Sequence, residues 1–210
     1  MTEASAQALS ILRDPGLFNW SVVTLMALVA YAYANEIGKK NWSVVLMGLI
    51  LPAGDMTWEM INALVLHFSN HAPLWCTPGR TSFLILVGIN VEILFMFLLM
   101  GMVFVKLFPG DKSTKILGVP NRVFIPVAAG LFCIAVELTL NRMGYLVWQN
   151  KYWGNWPHTW TLFVNYLVPF FAITWGHFHL SDYTKGMILI IILAVDTAMW
   201  MVFVNLLGWI

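Results

Sequence analysis

Residues 42–68 read WSVVLMGLILPAGDMTWEMINALVLHF. The run is longer than the roughly 20 apolar residues a helix needs to cross hydrocarbon. It contains no Lys or Arg, yet Asp55 and Glu59 sit near its middle. Four residues apart, they share one face of a helix, and Asn62 extends that face by another turn. An apolar helix carrying two carboxyls and no counter-ion fixes the kind of protein and poses the question of its chemistry.

The rest of the chain has the same character. Of 210 residues, 60% are apolar and 10% are charged, against roughly 25% charged in an average soluble domain; the mean hydropathy is +0.78. A soluble chain of this size could not bury so much apolar surface. The expectation is an all-α polytopic transmembrane bundle of six to seven spans, with residues 1–210 forming one integral membrane domain in the plasma membrane or the endoplasmic reticulum. Six runs meet the length requirement: residues 17–36, 42–68, 82–108, 123–146, 160–178 and 186–209. They are too long, and lack the alternation, for the strands of a membrane barrel.

The connections are short. Residues 69–81 (SNHAPLWCTPGRT) carry two prolines and a glycine and read as a turn. Residues 109–122 are the most polar stretch. Residues 147–159 (VWQNKYWGNWPHT) hold four aromatics and either lie in the membrane interface or belong to a broken seventh span. No internal repeat is apparent. Lys39, Lys40, Lys106, Lys112, Lys115, Arg122 and Lys185 fall on one side of the expected spans. Arg13, Arg80, Arg142 and Lys151 fall on the other. That bias places the first, third and fifth loops in the cytoplasm. No cleavable signal peptide is expected. The net charge of +1 gives no argument for nucleic acid as a partner. Cys76 and Cys133 read as packing residues rather than a disulfide.

Apart from Glu36 at the very end of the first, five of the ten acids fall inside the expected spans: Asp55, Glu59, Glu92, Glu137 and Asp196. A charge in hydrocarbon is costly, so such residues face the interior of a bundle. Each is protonated, binds a cation or meets a water-filled cavity, and neighbouring carboxyls share protons. Glu92 and Glu137 have a plain alternative as hydrogen-bonding groups between helices. Of the eleven tryptophans, Trp20, Trp42, Trp75, Trp153, Trp156, Trp160 and Trp209 suit an interfacial belt. Trp58, beside Glu59, and Trp200, one turn after Asp196, do not. Indole faces stabilise cations where water is excluded. His67 with His71, and His177 with His179, have metal-ligand spacing, but solvated helix ends account for them better. No metal or other cofactor is expected. Gly54 and Gly88 read as close-packing sites between helices.

A Trp-Glu pair in the second span (TWEM, Glu59) and an Asp in the last (AVDTAMW, Asp196) resemble the transmembrane terpene cyclases of fungal meroterpenoid and bacterial indole-terpenoid pathways. The resemblance implies a metal-independent enzyme that protonates a terminal alkene or epoxide of a polyprenyl chain, with Glu59 and Asp196 essential.

The functional expectation is therefore a membrane cyclase or isomerase acting on a lipid-soluble isoprenoid. Glu59 would be the general acid with Asp55 beside it, and Asp196 would take the final proton or stabilise positive charge. Trp58, Asn62, Glu92, Glu137 and Trp200 would line the substrate cavity. The alternatives are a proton- or cation-coupled transporter using the same acids, and a lipid-binding or assembly subunit without chemistry.

Overall fold

A computed structural model describes residues 1–111 and 113–210; Lys112, counted above among the loop cations, lies outside the described residues. A short helix, α1 (Glu3–Ser10), and a single 3-10 turn (Pro15–Leu17) precede α2 (Ser21–Gly38) and α3 (Trp42–Ser69). A two-strand hairpin, β1 (Leu84–Leu86) and β2 (Ile89–Asn90), leads directly into α4 (Val91–Lys106). A second hairpin, β3 (Lys115–Ile116) and β4 (Val119–Pro120), leads into α5 (Asn121–Arg142). Then follow α6 (Trp160–His179) and α7 (Asp182–Met199), which continues as a π-helical stretch over Trp200–Leu206.

Among the described residues, four helices are long and apolar enough to cross a membrane: Ser21–Gly38, Trp42–Ser69, Asn121–Arg142 and Asp182–Leu206. The six-to-seven count is not reproduced at that level. The run at 82–108 begins as a hairpin, so α4 has 16 residues rather than a full span. Residues 143–159 contain no helix and are not a broken seventh span. The first span starts at Ser21, because Asp14 and Pro15 set up the 3-10 turn at residues 15–17.

Two of the helices are entered through short hairpins. Leu86-Val87-Gly88-Ile89-Asn90-Val91 and Ile116-Leu117-Gly118-Val119-Pro120-Asn121 both form a hairpin whose turn glycine stands three residues before a helix. In the second hairpin Leu117 and Gly118 both have positive φ, at 49° and 81°, the conformation that matches strand twist in a two-residue turn. In the first, Asn90 caps α4 by accepting the Ile93 N–H at 2.9 Å. The two turns differ in backbone: Val87 and Gly88 are not among the positive-φ residues, and the first hairpin has a register shift between Leu84 and Leu86 that the second lacks.

Helix α3 is the hub, packing on α4, α7, α6 and α2. Pro52 has no N–H to offer the Gly48 carbonyl one turn earlier. At that point α4 comes closest: a Cβ on Gly101 would lie 2.8 Å from the Gly48 oxygen. Small residues let the two backbones approach, the usual way helices associate in a membrane. The Tyr33 hydroxyl fixes α2 to the same place by donating to the Leu98 carbonyl at 3.0 Å. Below this junction Phe104 and Phe170 pack at a tilt with centroids 4.7 Å apart. At one end of the bundle, buried Glu36 accepts from Lys106 at 2.6 Å and Asn41 at 3.0 Å, tying α2 to α4. At the same end the Ser43 hydroxyl meets Lys185 at 2.7 Å and His177 at 2.9 Å, tying α3 to α6 and α7. Helix α5 packs on α6. The α3–α4 and α5–α6 pairs leave a space between them, and that space holds the site.

Candidate functional site

Two loops close the other end of that space. Residues 70–81 and 143–159 pair with each other through Cys76 and Val147, whose backbones exchange hydrogen bonds of 3.0 and 2.8 Å. The Asn150 side chain adds a bond to the Ala72 carbonyl at 3.2 Å. Asn62, fully buried on α3, clamps the first loop: its amide donates to the Trp75 carbonyl at 2.8 Å and its oxygen accepts the Leu74 N–H at 2.7 Å. Trp75 and Trp153 are consequently turned inward, 5% exposed each, with ring centroids 4.7 Å apart. The belt reading fails for these two because loop pairing carries them into the bundle. It suits Trp20, Trp156 and Trp160, which face outward.

Beneath this roof lies a cavity of about 400 Å³. Glu59 stands in its wall, 3% exposed, accepting the Trp75 indole N–H at 2.7 Å and, more weakly, the Asn62 amide at 3.4 Å. Across from it, Glu137 on α5 accepts the Trp148 indole N–H at 2.8 Å, with Tyr166 and Trp153 facing the same carboxyl. Asp55, one turn from Glu59, also lines the cavity, and its Oδ2 is buried with no hydrogen-bond partner. The three carboxyls lie within electrostatic reach of one another, and among the described residues no Lys or Arg lines the cavity. Neighbouring acids without a cation share protons. Gly88, at the first hairpin turn, presses against the cluster: a Cβ there would collide with Glu59 Oε2 and come within 2.5 Å of the Asn62 amide and 2.6 Å of the Trp75 indole nitrogen. Its role is thus to admit the acid cluster, whereas the expectation was helix packing. Met96, Val103 and Phe132 line the cavity and are half or more exposed on the outside of the bundle. The cavity therefore opens sideways between α4 and α5.

Of the expected site residues, Asp55, Glu59 and Glu137 come together here, with Asn62 as the clamp behind them. Trp58 borders an adjoining cavity of about 410 Å³ that Asp55 also reaches. Asp196 does not join them. It accepts the Thr57 hydroxyl at 2.5 Å, and Thr57 lies about 200° around α3 from Asp55 at 100° per residue. Helix α3 itself therefore separates Asp196 from the chamber. Trp200 packs with Met60, Leu86 and Ile89, under the Arg13 guanidinium. Glu92 is at the start of α4, accepting the Thr81 hydroxyl at 2.6 Å and the Ser82 N–H at 2.7 Å, beside a polar surface cleft. It is not mid-span because the hairpin displaced the helix start. His67 stacks on Trp209 and His177 bonds Ser43, so the two histidine pairs do not converge. Gly54 packs on nothing: a Cβ there would meet no atom within 4 Å, since it faces the second cavity.

Tyr166, Asn165 and Trp148 were not singled out from the sequence, and Trp75 was assigned to the belt rather than to the site. The Asn165-Tyr166 pair, polar within an apolar run and three residues before Pro169, was a usable signal. The roles of Trp75 and Trp148 depend on loop pairing, which leaves no mark in the sequence.

These features define a helical membrane protein with an acid-walled chamber opening on its apolar flank. The chain belongs to an uncharacterized membrane protein family, whose family model matches residues 2–205. It is 40% identical over 210 residues to an uncharacterized protein of Archaeoglobus fulgidus, covering 100% of this chain and 99% of the relative. No solved structure matches. The resemblance to transmembrane terpene cyclases is overturned by this family membership. Its two signature acids, moreover, stand on opposite faces of α3.

Proposed function

We propose that α2 to α7 all lie in the membrane, the 16-residue α4 completing its crossing with the hairpin that precedes it. In this reading a lipid-soluble, unsaturated molecule enters between α4 and α5 and exchanges protons with the carboxyls of the chamber. The protein is then an acid–base isomerase or cyclase of the lipid phase. The observation that carries the reading is the pair of carboxyls, Glu59 and Glu137, each held through one oxygen by a loop indole N–H in the wall of a laterally open cavity.

Glu59 donates its proton to an alkene carbon, which leaves a carbocation on the adjacent carbon. The indole face of Trp75 borders that position, and aromatic faces stabilise cations more strongly without water. Glu137, as carboxylate, takes a proton from a neighbouring carbon, so the double bond re-forms one position along or closes a ring. Asp55, between them and with a free oxygen, returns the proton from Glu137 to Glu59. An isoprenoid, rich in substituted alkenes that give stable cations, fits this chemistry best.

Transport would need a polar path from one end of the bundle to the other. The chamber instead opens on the flank and is roofed at its end by Trp75, Trp148 and Trp153. A purely lipid-binding subunit is separated by experiment. Membranes containing the protein are incubated in D2O with an apolar lipid extract of the source cells, and lipid deuteration is read by mass spectrometry. The expected result is deuterium in one lipid class, lowered about a hundredfold or more by Glu59→Gln, in line with the loss of a general acid. Equal deuteration by wild type, Glu59→Gln and Glu137→Gln would overturn the reading.

A further inference from the structure

The two cavities abut. Asp55, Phe97, Met100, Asn165 and Tyr166 belong to the walls of both, so a partition one side chain thick divides them. The second cavity runs the other way, over α3 between α6 and α7, which do not pack along their lengths. Its floor is Ile50, Leu51, Gly54 and Trp58, and its far edge is Val164, Val168 and Ile192. Val164 and Val168 are about half exposed on the outside of the bundle. Beyond Asp55, Asn165 and Tyr166 its walls are apolar except for the Trp58 indole N–H. Each cavity alone, at about 400 Å³, sits at the small end of the roughly 300–1,000 Å³ typical of ligand sites.

We infer that the two cavities are one binding site for a single elongated chain. Its reacting end lies among Glu59, Glu137 and Asp55, and its apolar tail passes the Asp55–Tyr166 partition to leave between α6 and α7. The inference rests on the proposed function for the identity of the reacting end and adds the length of the substrate. Two observations carry it. The shared wall makes the cavities continuous once the Asp55 and Tyr166 side chains part, and the unpartnered Asp55 oxygen has no hydrogen bond to break when they do. Gly54 sets the bore. It leaves open space where any other residue would project a side chain, so a tail can lie flat on α3.

The test uses diazirine-bearing primary alcohols of short and long alkyl chain as photoprobes on membranes containing the full-length protein. Each further methylene that enters an apolar groove strengthens binding by up to about fourfold. The long probe should therefore outcompete the short one by about tenfold or more in wild type. In Gly54→Leu the ratio should fall to about twofold or less, and Ala172→Phe, which narrows the same groove from α6, should act alike. A diazirine at the tail of the long probe should label α6 and α7, and one near the hydroxyl should label α4 or α5. Gly54 has open space where its side chain would stand and Ala172 lines the same cavity, so both substitutions grow into the groove.

A long-to-short ratio unchanged in both variants, or tail labelling confined to α4 and α5, would overturn the inference. The deuterium readout stays separate. A collapsed ratio without deuterium transfer supports the continuous site and removes the proton-transfer reading. Deuterium transfer with an unchanged ratio does the reverse.

Discussion

Trp75 donates its indole N–H to the carboxyl of Glu59 across 2.7 Å, and the two residues are joined a second time through Asn62, which bonds the Trp75 carbonyl and Glu59 itself. A loop tryptophan and a helix acid are thus held as one unit. Removing the donor while keeping the ring separates its two roles. Trp75→Phe leaves the Glu59 Oε1 without its short bond and should cost about 1–3 kcal/mol of stability, the range for an unsatisfied buried polar group. Chemical unfolding in detergent checks the stability. The deuterium assay should also fall, because the carboxyl is no longer fixed in direction.

Gly88→Ala should be more damaging than a glycine change on a hairpin ordinarily is. The added methyl would occupy the space of the Glu59 carboxyl and crowd the Asn62 amide and the Trp75 indole. Overpacking of this kind costs about 1–3 kcal/mol. Gly54→Ala is the control, since its methyl meets nothing. A lower melting temperature for Gly88→Ala alone is the expected outcome.

Asp196→Asn should leave proton transfer nearly intact. The residue bonds Thr57 on the far side of α3, and the amide oxygen can still accept that hydroxyl. Glu59→Gln and Asp196→Asn, compared side by side in the deuterium assay, should differ by about two orders of magnitude if only the first is a general acid. Equal losses would place both in one chemical unit, against the geometry.

The Cys76 thiol is buried where the two roof loops pair, and burial pushes it up to about 12. A thiol reacts as thiolate. Since that value lies above the ordinary thiol range, the thiolate fraction at mildly alkaline pH is smaller than for a free cysteine and grows only as pH approaches it. Maleimide should modify Cys76 slowly in the folded protein and quickly after denaturation, measured by peptide mass spectrometry. Loosening the roof with Asn150→Ala should speed labelling in the folded state.

The membrane class and the acid pair of α3 were legible because both rest on local facts. An apolar run of 27 residues and a four-residue spacing carry their meaning wherever the chain goes. The start of α4 was not legible: residues 82–90 are as apolar as the helix that follows, and hydropathy does not distinguish a buried hairpin from a helix. The partner of Glu59 was misplaced for a different reason. Asp196 is deep in its own span, but depth does not say which face of α3 it meets. That depends on how α7 crosses α3, a tertiary fact. Glu137 could be placed in a span but not opposite Glu59, because the gap between the α3–α4 and α5–α6 pairs is set by packing.

The most direct measurement is carboxyl modification by a membrane-soluble carbodiimide, which enters the lipid phase and reacts with protonated carboxyls, set against a water-soluble one. Peptide mass spectrometry locates the adducts. The chamber, open to lipid and with no Lys or Arg among its described lining residues, should give adducts on Glu59, Glu137 or Asp55 with the membrane-soluble reagent only. Modification of Asp196 with all three chamber acids untouched, or of the chamber acids by the water-soluble reagent alone, would contradict a lipid-facing store of protons.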